Sequence, residues 1–558
     1  MSGTEPPDRL EAARQELSGR GYLAGGLPAP PASPWVVAVR LALAGAALAV
    51  VLAAAEVGFG GQPATTVFPV AVAFLPAAVL LVAVGYGLCR WLAWGMLRLG
   101  GEPEAVATAG AVLVGAAVVA LLAAMGRPAV PGLATIPGVA GGLALALVGM
   151  RWMRRHLLAR FSYPAAAGRR QPVTGAALLA VVAMGVLGVL VLAQRQDEAS
   201  PEVAASFPQP HGRVAVVAVD GLAREDLEAA AGLTGLAGLR EATLWGWAPM
   251  EVPQPPLPVV FWTTLACGVP PALHGITVLE EVRLFGLQDG VPLSPVGRAA
   301  IVPLWQGVGA ARVVARPATV RHRPTFWEMA SRAGVPVTVG GWWGSWPVRR
   351  VLGEVASERA WLGGDGGTDA VTPGLAGTVA SVWGAGHPDP AAASDRLALA
   401  VTERVAAAAS PHLLAVAMPA LDIQRRAHPR ATPWELAQLQ LPHLEALEGV
   451  LTRLVEAGST VWLVGAPWHG GTGFVAVSGA PAGRYEPCVA EAVAATVLDA
   501  LGLPIPLALP APRRDLSGVG GPILGAVDYG PPPPPLAAPS PRGQQVQREL
   551  LRNLGYLQ

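Results

Sequence analysis

"VAVVAVDGLAREDL", Val214 to Leu227, is an unbroken apolar run closed by Asp220 and Gly221 and followed by a stretch with helical spacing. An apolar run this short reads as a buried parallel strand, because helices cover both faces of such a sheet and leave no polar side. Asp220 then stands at the carboxyl end of that strand, the edge at which open α/β sheets collect their ligands. An aspartate there either holds something, such as a hard or borderline metal ion, or caps the following helix. Similar runs, "VPVTVGG" at 335–341, "HLLAVAM" at 412–418 and "TVWLVG" at 460–465, alternate with helical stretches such as "PWELAQLQLPHLEALEGVLTRLVEAG" at 433–458. The alternation predicts an α/β domain with a mainly parallel central sheet flanked by helices.

The rest of the chain has a different character. It has 558 residues, 52% hydrophobic and 14% charged, with a mean hydropathy of +0.45, which is too long for one ordinary domain and apolar enough to suggest a membrane region. All 39 basic residues are Arg and the formal net charge is +1, so no nucleic-acid partner is expected. Cys89, Cys267 and Cys488 are far apart and in no metal-binding spacing, which indicates neither a disulfide framework nor a zinc ribbon.

Five apolar runs, Trp35–Val57, Val67–Leu88, Ala105–Met125, Val130–Met150 and Val173–Ala193, are long enough to cross about 30 Å of bilayer at about 1.5 Å per residue. Arginines cluster after the second run (Arg90, Arg98) and after the fourth (Arg151, Arg154, Arg155, Arg160, Arg169, Arg170), which places those loops in the cytoplasm. The expected layout is a cytoplasmic tail at 1–34, a five-helix transmembrane region at 35–195, a linker at 196–212, an external α/β domain at 213–515, and a Pro-rich linker with a C-terminal tail at 516–558. The expected location is the cytoplasmic membrane, multi-pass, with the C-terminal domain on the extracytoplasmic side and the lipid bilayer as a partner.

Downstream of Asp220, "FWTTLACGVPPALHGI", "PTFWEMASRAGVPVTVGGWWGSWP", "GFVAVSGAP" and "VAATVLDALGLPIP" follow in an order that resembles the alkaline phosphatase superfamily, in its type I phosphodiesterase and nucleotide pyrophosphatase branch, from about Arg213 to Pro506. A five-helix membrane region joined to such a domain also resembles the layout of lipoteichoic acid synthases and phosphoethanolamine transferases. The resemblance implies two metal ions, usually zinc, and a Thr or Ser that attacks phosphorus. It implies metal-binding roles for Asp220, Asp422 and His469.

This chain departs from the family pattern at several of its positions. Pro258 stands where the nucleophile is expected and has no hydroxyl; Thr263 and Thr264, further along the same helix, are weak substitutes. Arg426 stands four residues after Asp422, where the family has a second ligand, and a guanidinium cannot give up its proton to bind a cation. It is instead a candidate for gripping an anion. Ala466 and Pro467 occupy the place of an Asp-His pair, and His428 could replace the missing ligand only on an irregular turn.

Two readings follow. In the first, the protein is a catalytically degenerate member of the superfamily in a bacterial envelope, binding a ligand or protein partner, with zinc or another divalent metal at reduced stoichiometry or none. In the second, it is an active metal-dependent phosphodiesterase or phosphotransferase acting on an envelope phosphoester. Residues that act as a unit in catalysis are lost as a unit, which favours the first.

Overall fold

The computed structural model describes scattered positions between 42 and 57, residues 67–98, and residues 207–557 apart from 208, 253–256, 286–289, 363–368, 384–388, 409–411, 521–522, 526 and 540. The chain divides into two compact units, Met1–Asp197 with Arg283–Arg312, and Glu198–Val282 with Val313–Gln558.

In the first unit, α1 spans Val67–Arg98, and its stretch Val67–Val84 is long and apolar enough to cross a membrane. It coincides with the second expected span. Among the described residues it is the only such helix, so the five-span membrane region and the multi-pass location are corrected to a single candidate. Hydropathy alone cannot carry more, because one long apolar helix also serves as the core of a soluble protein. The described positions between 42 and 57 are helical, and the third, fourth and fifth expected spans lie outside the described residues. The helix Pro295–Gln306 also belongs to this unit: Glu56 accepts from the Ser294 backbone N–H at 2.7 Å, and the Trp305 indole donates to the Ala73 carbonyl at 2.8 Å.

The second unit is built on an eight-stranded, mostly parallel sheet. Its strands are β1 (Arg213–Asp220), β2 (Gly246–Met250), β5 (Val337–Trp342), β6 (Gly353–Ser357), β7 (His412–Met418), β8 (Thr460–Ala466), β9 (Gly473–Val477) and β10 (Gly483–Arg484), in the order β10-β2-β9-β8-β1-β7-β5-β6. The remaining two strands, β3 (Glu280–Leu284) and β4 (Ala311–Ala315), pair with each other. Strands β8, β1, β7, β5 and β6 run parallel, and β9 is antiparallel to both of its neighbours. The four apolar runs singled out in the sequence fall on β1, β5, β7 and β8 at the centre of this sheet. Every residue of β7 is buried, as continuous apolar strands require when both faces are covered.

The helices that position the site are α2 (Pro258–Cys267), α3 (Pro390–Ala406), α4 (Ala420–Ala427), α5 (Pro433–Glu456) and α6 (Pro541–Asn553). Helix α2 starts with proline at its first turn, where a missing N–H costs nothing, and stops at Gly268 in the left-handed region. Helix α5 begins with a reciprocal capping box between Thr432 and Glu435. The Pro-rich stretch after residue 530 runs against the domain: the Arg350 N–H donates to the Pro534 carbonyl at 3.1 Å, and the Leu536 N–H to the Val348 carbonyl at 2.9 Å. It leads into α6, whose Gln544 and Gln547 are buried and whose Arg548 meets Glu280 at 2.5 Å.

Candidate functional site

Because β1, β5, β7 and β8 are parallel neighbours, the segments leaving their carboxyl ends converge on one edge of the sheet. Asp220 ends β1, Asp422 lies in the first turn of α4 after β7, and His469 follows β8. Gly221 makes the closeness of the first two possible. It has φ +81°, and a Cβ on it would lie 2.8 Å from the Asp422 backbone nitrogen. The His469 loop is held from the other side, where Thr472 bonds the Glu225 carboxylate through its N–H at 3.0 Å and its hydroxyl at 2.6 Å.

Asp220 is buried, and three indole N–H groups surround it. Trp262 on α2 and Trp468 after β8 donate to Oδ1 at 2.5 Å and 2.9 Å, and Trp343 after β5 donates to Oδ2 at 2.6 Å. The rings pack edge to face on further aromatics: Trp262 on Phe261 and Trp342, Trp468 on Phe261, Trp343 on Trp361. Asp422 is also buried, with Oδ2 accepting from Arg426 Nε at 2.7 Å and Oδ1 lying 3.1 Å from His469 Nε2. A carboxylate only accepts, so the His469 imidazole carries its proton on Nε2. The His469 side chain keeps 36% of its surface exposed.

The two carboxyl groups divide the charge between them. Burial, with the Asp422 charge added, raises the Asp220 carboxyl to about 7 against the lowering effect of its three indole donors. Burial also acts to raise Asp422, but its bonds from His469 and Arg426 and the charge of Arg426 hold it below the usual carboxylate range. Asp422 therefore keeps its charge, while Asp220 titrates near neutrality.

The C-terminal residues cover this site. The Tyr556 ring lies 4.4 Å from the Arg426 guanidinium carbon and meets Trp343 edge-on at 5.0 Å. Arg426 Nη1 reaches the Gly555 carbonyl at 3.4 Å. The guanidinium suggested as an anion grip thus has its Nε committed to Asp422 and one face covered by a phenol ring.

Pro258 is the first residue of α2 and offers no hydroxyl. The Thr264 hydroxyl donates to the Val260 carbonyl at 2.8 Å and lies 3.0 Å from His274 Nε2. The Ile276 N–H donates to His274 Nδ1 at 3.1 Å, so Nε2 bears the proton and donates to Thr264. His274 cannot then act as a base toward that threonine. The buried Thr263 Oγ1 has no hydrogen-bond partner among the described residues and sits 2.6 Å from where a Cβ on Gly344 would be. His428 is exposed, with Nδ1 3.1 Å from the Gln424 carbonyl.

The family pattern implies divalent metal here, and these donors do not fit one. Both Asp220 oxygens are taken by indoles, and Asp422 is bonded to a fixed cation that would repel a metal. Among the described residues no group of three or more His, Cys, Asp or Glu side chains is arranged to hold an ion. Asp220, Asp422 and His469 come together at one sheet edge, but as two separately satisfied carboxylates. The sequence reading missed the three indoles. Their signal was there in "FWTT", "GGWWGSWP" and "APWHGG", where tryptophan recurs just beyond strand ends or inside the matched motifs.

No protein-family model matches the chain, and no curated protein matches it. Among solved structures it is similar to a phosphonoacetate hydrolase from Sinorhizobium meliloti 1021 in complex with phosphonoformate, at 19% identity and a TM-score of 0.32, over 48% of this chain and 59% of that one. It is also similar to a phosphonate monoester hydrolase from Silicibacter pomeroyi, at 14% identity and a TM-score of 0.29, over 56% of this chain and 77% of that one. The chain thus spans less than two thirds of the phosphonoacetate hydrolase's length, and at these TM-scores the likenesses decide nothing about its chemistry.

Proposed function

We propose that the C-terminal unit is a catalytically degenerate domain of alkaline-phosphatase-like architecture that binds a ligand or protein partner and cleaves no phosphoester. The observation that carries this reading is the Asp220 carboxylate. At the position the family resemblance assigns to a metal ligand, both oxygens instead accept indole N–H groups. Pro258 at the nucleophile position and Arg426 beside Asp422 support the same reading, since two-metal in-line displacement needs a hydroxyl and several ligands together.

The test is metal analysis of the purified chain after equilibration with zinc and with manganese, alongside hydrolysis of aryl phosphodiesters and phosphonate monoesters. The expected outcome is well under one bound metal per chain and no hydrolysis beyond that of the Asp220→Ala and His469→Ala variants. Zinc- or manganese-dependent turnover that disappears in either variant would overturn the reading.

A further inference from the structure

We propose that the surface formed by Arg426, Trp343 and Asp422 is a binding subsite for an aromatic side chain carried on a peptide, and that the chain's own C-terminal residues fill it as an exchangeable occupant. The proposal rests on the non-catalytic reading and names the ligand class of that site. Arg426 is held ready to receive an aromatic ring, because its Nε is pinned to Asp422 and the guanidinium plane is fixed before any ring stacks on it. Trp343 is fixed in turn by its bond to Asp220 and supplies the edge contact. Beside the ring, Arg426 Nη1 faces the carbonyl of the preceding glycine. The subsite therefore offers a stacking face and an edge to one aromatic ring, and a donor to the carbonyl of the residue before it.

Two parts of the tail are held to different degrees, although Leu554, Tyr556 and Leu557 also pack against the core. Helix α6 is anchored: the Gln544 side chain donates to the Ala315 carbonyl, Gln547 to Glu358, and Leu551 is buried in the core. Beyond it, Arg552, Asn553 and Gly555 are exposed, and Leu554, Tyr556 and Leu557 are half-buried. Gly555, at φ +76°, lets the chain turn, and the Tyr556 N–H bonds back to the Leu551 carbonyl at 3.0 Å. Only these last residues have to let go for the subsite to open, while α6 stays in place.

A tethered occupant competes at an effective concentration of order mM. If the free segment binds at about 10 μM, the tether suppresses its binding to the intact chain about 100-fold. The experiment uses a fluorescein-labelled peptide with the sequence of Gln547–Gln558, titrated by anisotropy against the full chain and against full-length Tyr556→Ala and Tyr556→Phe. The expected result is binding to the Tyr556→Ala chain at about 10 μM, roughly 100-fold weaker binding to the wild type and to Tyr556→Phe, whose ring remains, and none by a peptide carrying Tyr556→Ala. Equal binding to all three chains, or binding indifferent to the peptide's tyrosine, would overturn the proposal. Hydrogen exchange of the wild-type chain gives an answer that needs no variant. Amides at 555–557 should exchange faster than those of α6, and exchange in step with the α6 amides also overturns it. Neither readout depends on metal or turnover, so an unexpectedly active enzyme would sink the non-catalytic reading without being mistaken for failure here.

Discussion

The Trp468 indole N–H donates at 2.9 Å to Asp220, a residue 248 positions earlier in the chain. The bond spans the turn after β8 and the end of β1, which are register neighbours through Asp220 and Ala466. A hydrogen bond to a buried charged acceptor contributes about 1.5–3 kcal/mol. Trp468→Phe keeps an aromatic ring but removes the donor and leaves a void where the buried indole was, so it is expected to lower unfolding stability by at least that amount. It also removes one of the bonds that lower Asp220, so the carboxyl should titrate higher still. Urea unfolding at two pH values checks both effects.

Asp220 and His274 make large and opposed contributions to the pH dependence of stability. Asp220 moves from an ordinary 3.8 to about 7 in the fold, so as pH rises between them the unfolded chain releases a proton that the folded chain keeps, and stability falls. His274 moves from 6.5 to about 3, driven by burial and then by nearby Arg321, His322 and Arg316. As pH drops through that window the unfolded chain takes up a proton the folded chain refuses, and stability again falls. Between about pH 4 and 6.5 each group contributes up to about 1.4 kcal/mol per pH unit, with opposite sign. The stability of Asp220→Asn is therefore expected to change with pH there along a slope more positive than that of the wild type, by up to about 1.4 kcal/mol per pH unit. Its amide nitrogen faces an indole N–H and lowers absolute stability, so the slope of the urea midpoint against pH is the readout. Parallel slopes for the two proteins would rule the Asp220 assignment out.

Gly221 is the hinge between the two carboxyl groups. Gly221→Ala puts a methyl group within 2.8 Å of the Asp422 backbone at φ +81°, and the backbone strain alone costs about 1–3 kcal/mol. The expected result is a large fall in melting temperature. Gly235→Ala, also at positive φ but with open space around it, should cost the strain alone, so the difference between the variants measures the close approach.

Asp395 on α3 and His443 on α5 face each other at 2.5 Å and are both buried. Removing one partner of such a pair leaves a buried polar group unpaired and costs about 3–5 kcal/mol. His443→Ala and Asp395→Ala are each expected to destabilise by that order, and the double variant by clearly less than their sum. Chemical denaturation of the three proteins supplies the cycle.

The sequence by itself determined the centre of the sheet. An unbroken apolar run such as Val214–Val219 is stable only where both faces are covered, so β1, β7 and β8 were legible as buried parallel strands, and Asp220 as a residue at their carboxyl edge. It also determined what two positions cannot supply, because Pro258 carries no hydroxyl and Arg426 cannot bind a cation in any fold. Counting apolar residues reached its limit at the N-terminal region, where five runs were read as spans and, among the described residues, one helix is long and apolar enough to cross a membrane. Only the tertiary structure decided what faces Asp220. Its three donors lie 42, 123 and 248 positions away, and Tyr556 arrives over Arg426 from the far end of the chain. No local pattern encodes such partners, because they are chosen by which loops leave the same edge of the sheet. Strand order depends on packing between segments that the sequence keeps far apart.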